Sequence, residues 1–151
     1  MLKGSIEKVW DYLTRSDMLD RWLASGEIGE AGSRVCLIQD RDAAPWKKGS
    51  YMCGTVVENV RPHHLAYTIK DIVGDLPEDE VEDSLVEFSL QECGSEVLLQ
   101  IIHSRLGREE LPWVYAEWNA HLDFLEEDLE SPRADAPRRS ARAPMAQCLI
   151  K

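Results

Sequence analysis

A single amphipathic stretch constrains this chain more than any other feature. Between about Glu109 and Glu130 the apolar residues recur at helical spacing. Leu111, Val114, Tyr115, Trp118, Leu122, Leu125 and Leu129 fall on one side of a wheel turning about 100° per residue. Glu117, Asp123, Glu126 and Glu127 lie mostly elsewhere, and Trp113 and Phe124 fall off the stripe. Glu109 and Glu110 suit the positive end of a helix dipole, and Pro112 is tolerated only in a first turn. Ser131-Pro132 marks the stop, because a proline restricts the residue before it and cannot extend the helix. A helix with one long apolar stripe must lie on a broad apolar surface.

The preceding chain reads as that surface. Residues 5 to 23 predict two short helices, with Ser5 as a cap and Ile6, Val9, Trp10 and Leu13 at helical spacing. The pattern breaks at Thr14–Asp17, and Met18–Leu23 forms the second helix. The period then changes to two. Strands are expected at Arg34–Asp40, Ser50–Val60, His64–Ile72, Ser84–Gln91 and Glu96–Ser104. Leu65, Tyr67 and Ile69 share one face, as do Val86, Phe88 and Leu90, and Val97, Leu99, Ile101 and His103. Gly54 marks a bulge or a place of close backbone approach. Gly94 supplies the positive φ of a hairpin turn, and an acidic loop spans Gly74–Asp83. Short turns between strands argue an antiparallel meander, one face of which the long helix must cover. The expected class is α+β, a curved antiparallel sheet gripping the C-terminal helix.

The boundaries follow from composition. Residues 1–130 form the folded domain, and a length of 151 residues suits one such domain with a real core. Residues 131–151 are rich in Pro, Ala, Arg and Ser and are expected to be disordered. That tail carries a net charge of +4 within a chain of −11, which leaves the body at −15. So acidic a body repels phosphate backbones, which disfavours nucleic-acid binding. No apolar run reaches the ~20 residues of a membrane helix, and the first residues lack a signal-peptide core, so the expected location is cytoplasmic. Cys36, Cys53, Cys93 and Cys148 show no paired spacing and read as reduced, packed thiols. His63 and His64 are adjacent at a turn, and in a strand their side chains would point oppositely, so no shared metal site is expected there, and no cofactor is expected at all.

Four segments, in order, resemble a known family. Val9-Trp10-Asp11-Tyr12-Leu13-Thr14, followed by Leu19 to Trp22-Leu23, resembles its opening signature. Gly54 to Pro62, followed by Leu65-Ala66-Tyr67-Thr68, resembles a central segment; Val97 to Leu106 and Trp118 to Leu125 resemble its last strand and last helix. The family is that of homologues of the heat-shock ATPase activator, within the START-like, or Bet v 1-like, superfamily (SRPBCC). The resemblance covers residues 5 to 130. It implies a helix-grip fold with a cavity between sheet and C-terminal helix, where many members hold apolar or amphipathic molecules; other members bind a chaperone, and relatives include cyclase-type proteins. The family begins with a strand, for which only Met1–Gly4 remain here, so that strand is expected to be missing. An uncovered edge of this kind predicts homodimerisation. Glu117 stands where the family has a glycine.

The expected site is therefore a cavity lined by Tyr67, Phe88, Leu99, Ile101, Trp118 and Leu122, with His103 and His121 at its border. A histidine beside a tyrosine can serve acid–base work, but packed boundary groups are the simpler reading. The chain lacks GxSxG, HExxH and any Walker-type loop, so no catalytic residue is assigned. The expected function is binding of a small hydrophobic or amphipathic ligand, ahead of a chaperone-regulating interaction module and of a cyclase-like enzyme.

Overall fold

The computed structural model of the protein describes residues 1–38, 51–72, 77, 79, 81–132 and 149–150. The chain opens with a two-residue strand, β1 (Leu2–Lys3), and two short helices, α1 (Ile6–Thr14) and α2 (Ser16–Trp22). Ser5 caps α1 by accepting the Lys8 backbone N–H at 3.2 Å. Strands β2 (Arg34–Leu37), β3 (Tyr51–Val60), β4 (His64–Ile72), β5 (Ser84–Cys93) and β6 (Glu96–Ser104) follow. Next comes the long helix α3 (Leu111–Glu130), and then a last short strand, β7 (Leu149–Ile150). The sheet order is β1-β6-β5-β4-β3-β2, antiparallel throughout, with β7 running parallel on β6. This is the α+β helix-grip arrangement, a curved sheet with α3 packed against it.

The alternating pattern explains why the sheet has one covered face. On β5, Ser84, Val86, Phe88 and Leu90 are buried while their neighbours are half-exposed. On β4, Leu65, Tyr67 and Ile69 are buried on the same side. The register of β3 against β4 shifts between Val56 and Glu58, the irregularity that bends a sheet. Gly54 is the place of close approach: a Cβ there would sit 1.8 Å from the Thr68 carbonyl oxygen.

One expectation is corrected. The first strand is present, though only two residues long. Leu2 pairs with Val97 and Lys3 with Glu96, and Leu2 is buried in the core. A positive φ at Gly4 then turns the chain into α1. Two residues suffice because they need only continue an existing ladder, so β6 is covered at this end and the open-edge argument for dimerisation loses its premise there. Of the tail expected to be disordered, four residues are described, Ser131, Pro132, Leu149 and Ile150. Leu149 and Ile150 pair with Ile102 and His103 of β6, because the same strand edge still offers unpaired backbone groups further along. The remainder of the tail, the turn expected over 41–49, and most of the acidic loop lie outside the described residues. Cys53 is buried and Cys93 half-buried, whereas Cys36 is exposed rather than packed; none of the three is in a disulfide. Among the described residues no helix is long and apolar enough to cross a membrane, and no cluster of ligating side chains is placed to hold a metal ion.

Helix α3 is not buried evenly. Trp118, Leu122, Leu125 and Leu129 are in the core, but Leu111 and Val114 are only half-buried, Tyr115 is 42% exposed and Trp113 is 76% exposed. Its second half is held on two sides. The sheet takes the apolar stripe, and α1 and α2 take Asp128, a polar residue that the wheel leaves unremarked. Tyr12 Oη donates to Asp128 Oδ2, and Arg21 donates to both carboxylate oxygens, at 2.6 and 2.8 Å. The three helices are thus joined through one carboxylate.

Candidate functional site

The concave face of the sheet carries two cross-strand rows. Val56, Tyr67, Val86 and His103 stand opposite one another across β3, β4, β5 and β6; Leu65, Phe88 and Ile101 form the next row. Trp118 reaches down from α3 onto both. Its ring meets Phe88 edge-on at 5.7 Å and His103 at 6.1 Å, while Tyr67 lies 5.6 Å from Phe88. These aromatic contacts form a packed floor.

Beside that floor lies a cavity of about 330 Å³. Its buried walls come from Leu37, Tyr67, Ile69, Ser84, His103 and Trp118, with Leu23 and His121 behind them. Met52, Val81, Leu106 and Val114, all half-buried, add to the apolar lining. The exposed lining residues are Asp71, Glu82, Arg105, Gly107, Glu110 and Glu117, so the mouth opens where β6 runs into α3. The connecting loop turns at Arg105, whose φ is 62°, and is held by Glu110, which accepts the Gly107 N–H at 2.7 Å.

The polar groups of the wall have a fixed direction. The Trp118 indole N–H can only donate, and it lies 3.0 Å from His103 Nδ1. His103 Nδ1 is therefore the acceptor, and the neutral ring carries its hydrogen on Nε2. That hydrogen goes to Ser84 Oγ at 2.7 Å, and Ser84 in turn donates to the Ile69 carbonyl at 3.2 Å. Burial pushes the His103 pKa down to about 4, which keeps the ring neutral. In this arrangement His103 donates to Ser84 and takes no proton from it, the reverse of what activating a serine nucleophile requires. His121 is likewise committed: its Nδ1 lies 2.8 Å from the Trp22 carbonyl and so carries the hydrogen.

Tyr67 differs. It is fully buried, its side chain lines the cavity, and its hydroxyl has no hydrogen-bond partner. Burial alone raises its pKa above the ordinary value, so the hydroxyl keeps its proton. A buried hydroxyl without a partner costs free energy of about 1–3 kcal/mol.

Of the eight residues expected at the site, Tyr67, His103, Trp118 and His121 line the cavity. Phe88, Ile101 and Leu122 are buried in the core beneath or beside it, and Leu99 packs half-buried against that core. Sequence reasoning misses Ser84, although it shares the inward parity of Val86 and Phe88 on β5. Val114 lies on the helix stripe, where its spacing signals packing alone. The acidic mouth has no periodic signal to find it by.

Comparisons with known proteins agree with this architecture. No curated protein matches the chain. Among solved structures, protein MLL2253 from Mesorhizobium loti superposes with a TM-score of 0.69 at 19% identity, covering 88% of this chain and 94% of that one. The protein encoded by BPP1335 from Bordetella parapertussis is 30% identical, with a TM-score of 0.64 over 92% of this chain and 74% of that one. The Aha1 dimer from Colwellia psychrerythraea gives 0.66 at 19% identity over 88% and 93%. The pattern described as "Activator of Hsp90 ATPase homolog 1-like protein" matches residues 3–130, nearly the whole described body from β1 to the end of α3. With its grip of sheet on helix and that match over most of its length, this chain belongs to the Activator of Hsp90 ATPase homolog 1-like family, within the START-like superfamily.

Proposed function

We propose that the protein binds a small hydrophobic or amphipathic molecule in the cavity between the concave sheet and the first half of α3. The observation that carries this reading is the hollow of about 330 Å³ itself, walled by Leu37, Ile69, Val114 and Trp118. That volume lies at the lower end of the range for small-molecule sites, roughly 300–1,000 Å³. Buried walls with these apolar side chains suit recognition of a hydrophobic body. The saturated Trp118–His103–Ser84 chain shapes the wall and offers no base, which ranks binding ahead of a cyclase-like reaction. Residues 1–130 act as the binding domain in this reading, with the segment from 131 as an appendage.

The test is a thermal-shift and Trp-fluorescence titration with a library of neutral lipids and aromatic metabolites. Ligands that raise the melting temperature in the wild type and lose most of that effect in Trp118→Ala support the proposal. The absence of any saturable ligand, neutral apolar dyes included, would sink it. A second reading, regulation of a chaperone ATPase, draws on the family match and on the exposed Trp113 and Tyr115 of α3. Stimulation of a chaperone's ATPase that Trp113→Ala abolishes and Trp118→Ala leaves intact is the outcome that favours it.

A further inference from the structure

On the face of the sheet turned away from the hollow, two cysteines stand side by side. We propose that Cys36 and Cys53 form a reversible disulfide site, which on oxidation locks the edge strand β2 onto β3. The site is independent of what the cavity binds.

Register brings the two sulfurs together. Cys36 of β2 lies directly opposite Cys53 of β3 in an antiparallel ladder, so both side chains leave the same face. The next pair along, Leu37 and Met52, lines the hollow, which puts the cysteines on the opposite, convex face. The phase of the ladder is favourable as well. The Val56 N–H donates to the Ser33 carbonyl at 2.9 Å, and bonded pairs alternate with unbonded ones along such a ladder. Counting from Ser33 and Val56 makes Val35 and Gly54 a bonded pair, and Cys36 and Cys53 an unbonded one. Opposed Cα atoms at unbonded positions are about 4.5 Å apart, within the roughly 4.4–6.8 Å that a disulfide spans.

Access divides the labour between the thiols. Cys36 is exposed, whereas Cys53 is only 2% exposed. A reagent from solvent meets Cys36 first, and Cys53 stands beside it as the resolving thiol. Cys93, by contrast, has Glu96 opposite it on β6. β2 is the last strand of the sheet, so it can make the small adjustment that closing the bond requires.

The oxidant is a small disulfide, such as oxidised glutathione. Cys36 gives its proton to solvent and its sulfur attacks one sulfur of the reagent. The reagent's S–S bond breaks, and one glutathione leaves as a thiolate that takes up a proton. Cys53 then loses its proton and attacks the Cys36 sulfur. The mixed S–S bond breaks and the second glutathione leaves in the same way. Two protein thiols have given up two electrons, and one small disulfide has been reduced to two thiols. Because one sulfur is exposed, an incoming thiol can reverse the sequence.

The test treats the reduced, full-length protein with oxidised glutathione, alkylates the remaining thiols and digests with trypsin. Arg41, Lys47 and Lys48 separate the two cysteines, so a linked pair of peptides reports the bond in a mass spectrum. The expected result is a Cys36–Cys53 linkage in the native protein that dithiothreitol removes. In Cys53→Ala the reaction should stop at a glutathione adduct on Cys36, and in the exposed-site variant Cys36→Ser no linkage should form. Oxidation of the wild type should raise the melting temperature by roughly 5 °C and slow exchange of the Val35 and Leu37 amides about tenfold or more. Cys36 that stays open to alkylation, or that stops at the glutathione adduct in the wild type, overturns the site. A linkage that forms in urea but not in the native protein overturns it too, as does one that joins Cys36 to Cys93 or Cys148 instead. A Cys36–Cys53 bond that leaves amide exchange unchanged overturns the locking of β2.

Discussion

His103 and Asp128 are both buried and ionisable, and they respond to acid for different reasons. For His103 the pKa is depressed from 6.5 to about 4 by burial. Between those values the unfolded chain binds a proton that the folded chain does not, so stability is intact above pH 6.5 and falls as pH drops towards 4. The loss should approach about 3 kcal/mol, read by urea unfolding at pH 7 and pH 4.5; His103→Gln, which can still accept from Trp118 and donate to Ser84, should flatten that slope. For Asp128, burial opposes the charge, but hydrogen bonds from Arg21 and Tyr12 and the charge of Arg21 outweigh it and hold the carboxyl below its usual range. Its contribution is therefore present above the unfolded carboxyl's pKa and lost only as pH falls through the lower folded value. Asp128→Asn takes the carboxylate charge away from the mostly buried Arg21 guanidinium, and should cost about 3 kcal/mol in chemical denaturation at pH 7. Tyr12 shares the carboxylate and has its own pKa pushed up to about 12, through burial first and then Asp128.

At the scale of elements, α3 and β3 give the clearest contrasts. Leu125 is fully buried and Tyr115 is 42% exposed, although both lie on one apolar stripe. Leu125→Ala should destabilise by about 2–5 kcal/mol, whereas Tyr115→Ala should stay within about 0.5 kcal/mol; paired denaturation curves decide. The wheel could not separate them. Periodicity records which side of a helix is apolar, not whether the facing surface touches it, and the first turns of α3 stand over the hollow and its open mouth. On β3, Gly54→Ala must push against the Thr68 backbone. The expected cost is about 3 kcal/mol, with chemical-shift changes at the neighbouring Tyr67, because backbone cannot swing aside as a flexible side chain can.

Across the whole molecule, the body from α1 to α3 was legible because each of its elements is long enough to repeat its period. Two-residue strands are not: neither Leu2–Lys3 nor Leu149–Ile150 carries enough alternation to be seen, and each exists because β6 offers an edge. The cavity's tyrosine, tryptophan and two histidines could be placed from parity and helical phase. Its mouth could not, since Arg105 to Gly107 is irregular and the acidic residues of the rim come from separate segments. Filling the cavity should act on the whole fold at once. A ligand at 100 times its dissociation constant adds about 2.7 kcal/mol, which for a domain of this size is roughly 5–10 °C in melting temperature, and differential scanning fluorimetry would read that directly.

The carboxylate that joins the three helices has a mechanical consequence. It clamps α3 near its C-terminal end, where Leu125 and Leu129 are also seated, whereas the turns ahead of Trp118, from Leu111 to Tyr115, are half-buried or exposed. A beam held at one end deflects most at the other. Backbone amides should therefore exchange with solvent slowly around Leu125 and progressively faster back towards Tyr115, and cutting the clamp with Asp128→Asn should loosen the far end out of proportion to its distance from the mutation.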